Sequence, residues 1–141
     1  MKKAQSLIMQ FILFFIIGFT LFITIGSFFK NQSDAFRIES TEYNIKLANS
    51  YLSSFAVGLI DTCKSCDYAS IQINVENTTA GYFFLDNLNS QGLNVSTSWG
   101  GLQSVSSIHN LNYSTTLTGN SSSAKTIYLT YNRTKNELGM V

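Results

Sequence analysis

From Leu7 to Phe29 the chain runs for 23 residues without a charge or a proline. Roughly 20 such residues carry a helix across a hydrocarbon core. Gln10, Thr20, Thr24 and Ser27 are the polar residues in the run. A helical hydroxyl returns its hydrogen to a carbonyl one turn back, so the threonines and the serine are tolerated there. The run is apolar on every side, and a helix of this kind faces lipid or other apolar helices. Gly18, Phe22 and Gly26 share one face at spacings of four, and small residues let helix backbones approach. No Asp, Glu, Lys, Arg or His lies inside the span, which argues against a proton relay or an ion pathway.

The period then changes character. Phe36, Tyr43, Leu47, Tyr51, Phe55 and Leu59 recur close to every 3.6 residues, the mark of an amphipathic helix. The expectation is a second helical stretch over 30–62, with Asp34, Glu39, Glu42 and Lys46 on the opposite face. Either Asn31 or Ser33 caps a new helix after a short break, or the first helix continues with a bend near Gly26. The aromatic stripe is expected to pack against the strand-rich part that follows, or to be shared with neighbouring subunits.

After Cys66 the pattern alternates. Ile71, Ile73 and Val75 fall on one face of a strand over 68–75, with Gln72 and Asn74 on the other. Further strands are expected over 82–88, at Leu93-Val95-Thr97-Trp99, and over 111–117 and 126–131. Leu102, Val105 and Ile108 suggest a weaker one, and a short segment over 138–141 closes the set. Turns are expected at 76–81, after Gln91-Gly92, at Gly100-Gly101, over Thr118 to Ser123, and at Thr134-Lys135-Asn136. The fold class read from this is α+β: a long N-terminal hydrophobic helix, an amphipathic helix, and a small antiparallel β-domain, sandwich or meander, over 63–141. A domain this small sits near the lower limit for an independent core. It is expected to lean on the amphipathic helix, a disulfide or neighbouring subunits.

Charge orients this plan. Lys2 and Lys3 precede the apolar run with no acid near them, which places the N-terminus in the cytoplasm and the remainder outside. A net charge of +1 offers no basic patch for phosphates, so no nucleic-acid contact is expected. Secretory signals have a shorter apolar core and a small-residue cleavage site after it. Nothing after Phe29 has that form, so the helix is expected to be retained.

The tip itself carries a pattern: two lysines, Ala4, Gln5, Ser6, then the hydrophobic helix. It resembles the class III signal of archaeal type IV pilin-like and archaellin-like proteins. The resemblance covers about the first 30 residues. It implies that a prepilin peptidase cuts between Ala4 and Gln5, leaving 1–4 as a leader and 5–29 as the membrane or filament-core helix. The sequence departs from the family at one place: many such subunits carry a glutamate near the fifth mature position, where Met9 and then Gln10 stand here. The other reading of the tip is an uncleaved single-pass anchor.

Cys63 and Cys66, in Cys-Lys-Ser-Cys, are the two cysteines. The motif fits a structural disulfide, free thiols, or metal or redox chemistry. A metal site needs about four ligands and His109 is the remaining soft donor, so outside the cell a local disulfide is expected. Six Asn-x-Ser/Thr sequons begin at Asn31, Asn77, Asn94, Asn112, Asn120 and Asn132, all beyond the apolar run and available for N-glycosylation. No Asp, Glu, Lys or Arg occurs between Asp86 and Lys125. A soluble surface ordinarily carries both signs. This one suits glycan cover, packing of identical subunits, or simply a polar, loop-rich sheet.

His109 would complete a triad with Ser106 or Ser107 only if Asp61, Asp67 or Asp86 folded against it. No HExxH, GxSxG or phosphate-cradling glycine loop is present. No catalytic residue, cofactor or metal is expected. The expected role is a structural subunit of an archaeal cell-surface filament, partnered by the membrane, by copies of itself or related subunits, and by prepilin peptidase. Within the same pathway, a minor or archaellum-associated component gripping the surface layer is the variant. The alternative from another class is a membrane-anchored extracellular binding module, which an exposed aromatic patch including Trp99 or Tyr82 would favour.

Overall fold

The computed structural model describes residues 2–75, 83–98, 101–108 and 115–141, with side chains from Ser6 onward. One helix, α1, runs from Lys2 to Thr62, and no break interrupts it at Asn31 or Ser33. The chain has no proline, so no residue in this stretch lacks the amide hydrogen that the helix ladder needs. The helix ends where Cys63 donates its N–H to Leu59 O at 3.1 Å and the Cys63–Cys66 disulfide turns the chain, with Cα atoms 4.8 Å apart. The molecule separates into two units, 1–39 and 40–141.

The first unit is helix alone. Its side chains are exposed from Leu7 through Phe29, and the segment is long and apolar enough to cross a membrane. Thr20 Oγ1 donates to Ile16 O and Thr24 Oγ1 to Thr20 O, both at 2.8 Å. These are the one-turn-back bonds that make a hydroxyl tolerable in an apolar helix.

The second unit is an α+β body. Among the described residues, seven strands form one sheet: β1 (Tyr68–Ile73), β2 (Phe84–Asn89), β3 (Gly92–Thr97), β4 (Gln103–Ser106), β5 (Thr116–Ser122), β6 (Ile127–Asn132) and β7 (Glu137–Met140). Their order across the sheet is β1-β6-β7-β5-β2-β3-β4. Every pairing is antiparallel except β5 with β7. The expected sandwich is therefore a single sheet, and its second layer is the helix. Asn136, at φ 49°, makes the turn that returns β6 into β7, a conformation asparagine tolerates better than most residues. Lys135 N–H there donates to Asn132 Oδ1 at 3.1 Å.

Alternation sets the buried face. Phe84 and Leu88, Leu93 and Val95, and Ile127, Leu129 and Tyr131 all point inward, as the period of two requires. The turn expected over Thr118 to Ser123 is instead strand β5 through Ser122. Turn-prone residues are held extended there because β2 pairs with one side and β7 with part of the other, and such pairing overrides local preference. Of the strand expected over 111–117, residues 111–114 lie outside the described residues.

The helix also turns a different face to the sheet than its aromatic stripe suggests. Thr41, Ile45, Ala48, Asn49, Leu52, Ala56, Leu59 and Cys63 are buried, and the apolar members join the sheet's inner residues in one core. Phe36, Tyr43, Leu47 and Tyr51 are exposed and Phe55 is half-buried; of the expected stripe only Leu59 is buried. The buried face alternates Ile and Leu with Ala48 and Ala56. Small residues bring a helix close to a sheet, whereas tyrosines at those positions would hold it off.

Candidate functional site

The outward stripe of α1 in the second unit is the candidate site. Tyr43 is 67% exposed and Leu47 69%, and four-residue spacing brings Tyr43, Leu47 and Tyr51 onto one side. Tyr51 packs edge to face on Phe55 with ring centroids 4.7 Å apart, which stiffens the lower end of the stripe. Glu42 and Lys46 form a rim beside it. Lys46 Nζ reaches Glu42 Oε1 at 2.7 Å and lies 6.0 Å from the Tyr43 ring centroid. The hydrogen bond to Glu42, then its charge, raise the Lys46 ammonium above its ordinary range. Both groups are exposed, so the pair contributes little to stability. An apolar centre with a polar rim is the composition of a protein contact surface.

The other sequence-derived sites scatter. Ala4 and Gln5 lie within α1, their side chains outside the described residues. Cys63 and Cys66 are joined as a disulfide. Asn31 is exposed on α1, Asn94 half-buried on β3, Asn120 exposed on β5, and Asn132 half-buried at the end of β6. Asn77, Asn112, His109, Tyr82 and Trp99 lie outside the described residues. Asp61 and Asp67 are exposed on either side of the disulfide, and Asp61 pairs with Lys64. Among the described residues no group of three or more His, Cys, Asp or Glu is placed to hold a metal ion.

Sequence reasoning gave Asp86 no structural role, yet it is 1% exposed in the middle of β2. It shares the inner face with Phe84 and Leu88. Among the described residues neither carboxylate oxygen has a hydrogen-bond partner. Removal from water pushes its pKa up from 3.8 to about 7, because a carboxylate without a partner is disfavoured in the interior. The signal available was its place in Phe84-Leu-Asp86-Asn-Leu88, where strict alternation puts the acid with the apolar pair. No protein-family model, curated protein or solved structure matches this chain.

Proposed function

We propose that this chain is a structural subunit of a cell-surface filament, inserted in the membrane through its N-terminal helix before assembly and bundled through that helix afterwards. The observation that carries this reading is the exposed stripe Tyr43-Leu47-Tyr51 on the helix segment that packs on the sheet. A membrane anchor needs apolar surface only where it meets lipid. This stripe belongs to the folded, largely polar unit, where open apolar surface is costly and marks an interaction site. In a filament, neighbouring helices cover both the apolar run and the stripe. The Lys2-Lys3 tip of the sequence supports entry into that pathway through the leader it resembles.

The test is the N-terminal residue of the mature protein, read by mass spectrometry on material made with its native peptidase. A chain starting at Gln5, with filaments seen by electron microscopy, supports the proposal. A chain that keeps Met1 and the two lysines sinks it, since a charged tip has no place in an apolar filament core. The protein is then an anchored extracellular module.

A further inference from the structure

On the sheet face that points away from the helix lies a groove of about 830 Å³. β7 pairs with β5 over Thr116–Gly119, and the second half of β5 pairs with β2 on its other side. Leu85, Asn87, Asn94, Ser96, Asn120 and Tyr128 shape this groove. Asp86 also borders it, but burial alternates along β2 and sends its carboxyl to the opposite face. The volume is that of a small-ligand site.

Three asparagines form a row across it. Asn87 on β2 stands directly opposite Asn94 on β3 and Asn120 on β5. In the next row Leu85 lies between Ser96 and Ser122. Asparagine is disfavoured inside strands, so three in one row work against the fold unless something else uses them. Their amides do not bond to one another. Asn87 accepts one long bond from Asn89 Nδ2 at 3.4 Å. Asn94 Oδ1 is buried and has no partner among the described residues. Among the described residues the Asn120 side chain makes no hydrogen bond.

We infer that this groove binds a neutral saccharide. The Asn87 and Asn120 carboxamides each carry donors and an acceptor together, Asn94 adds the donors of its Nδ2, and the row repeats at the strand spacing of about 4.8 Å. A sugar presents the complement, a rim of hydroxyls that both donate and accept. Its apolar C–H face needs an apolar platform, which Leu85, 46% exposed, and Tyr128, 43% exposed, supply. Charge selects against the other classes. Among the described lining residues, Lys125 at the border is the one charged side chain on this face, so these residues offer an anion a single partner and a cation no carboxylate. The inference is independent of the filament proposal.

The saccharide has two sources: a free or foreign oligosaccharide, or an N-glycan carried by another copy of this chain. Asn87 belongs to no sequon, so replacing it changes the groove without changing glycan attachment. The experiment uses the full chain in detergent, made without glycosylation, on arrays of neutral and acidic oligosaccharides, and then against glycosylated copies of itself. The expected result is retention of neutral sugars or of glycosylated copies, weakened tenfold or more by Asn87→Leu and by Tyr128→Ala, with melting temperature unchanged. Retention on the array identifies the free source. Retention of glycosylated copies alone identifies the attached one. Failure to retain either, preference for acidic sugars, or binding that survives both substitutions together overturns the inference.

Discussion

Asn49 on the helix donates from Nδ2 to the carbonyl oxygen of Ser104 at 2.9 Å, and to Ser104 Oγ at 3.1 Å, across 55 residues of sequence. Asn49 is buried, and this polar tie fastens α1 to β4, an edge strand of the sheet. Apolar contact alone lets a helix slide on a sheet, whereas a directional bond selects one position. Asn49→Ala removes the donor, and leaving the Ser104 carbonyl unsatisfied costs about 1–3 kcal/mol. Denaturant unfolding in detergent checks this. A loss no larger than that of an exposed substitution such as Ser50→Ala argues against the tie.

Asp86 gives stability an unusual pH dependence. Its pKa is 3.8 when unfolded and about 7 when folded, so the folded chain holds this proton more tightly. The contribution is fully present below about pH 4, declines as pH rises, and is gone above about pH 7. The difference of about 3 units corresponds to about 4 kcal/mol. Asp86→Asn should flatten this slope and raise the melting temperature at neutral pH. Equal pH slopes in the two proteins refute the assignment.

Gly119 marks the last step of the parallel pairing, opposite Met140. Its φ is +131°, and a Cβ there meets the Met140 backbone directly. Gly119→Ala must push β7 away from β5 or move β5 itself. The expected cost is above about 2 kcal/mol, the strain of such a backbone plus the lost pairing, read as a lower thermal midpoint. An unchanged midpoint contradicts the β5–β7 register.

The Cys63–Cys66 disulfide closes a very short loop, which limits its effect on the unfolded chain. Loop entropy predicts about 2 kcal/mol. A reducing agent should therefore lower the melting temperature by several degrees while far-ultraviolet circular dichroism keeps its shape. Loss of the fold on reduction would mean that the staple carries far more than loop closure.

Leu47→Lys tests the outward stripe. Leu47 is exposed and outside the core, so the substitution should leave the melting temperature within about 0.5 kcal/mol equivalent of the parent. Filament assembly, counted by electron microscopy, should be abolished, since a lone charge in an apolar interface is not tolerated. Filaments of normal number would remove the stripe from the assembly surface.

Much of the local structure is legible in the residues. An uncharged run from Leu7 to Phe29 has one physical solution outside a protein interior, a helix that satisfies its own backbone. Alternation at Leu93-Val95-Thr97 and Ile127-Leu129-Tyr131 identifies strand and inner face together, because a strand has two faces and one is apolar. Two cysteines three residues apart allow a local corner, and the structure joins them as a disulfide there. The tertiary structure decided what a repeating pattern leaves degenerate. Over 40–62 the helix carries two apolar stripes of the same period, and only contact with the sheet shows that Ile45, Ala48, Leu52 and Ala56 go in while Tyr43, Leu47 and Tyr51 stay out. The insertion of β7 between β5 and β6 and the alignment of Asn87 with Asn94 and Asn120 likewise depend on which strands meet. Periodicity is a property of one segment, whereas partnership is set by the competition among all of them for the same buried surface.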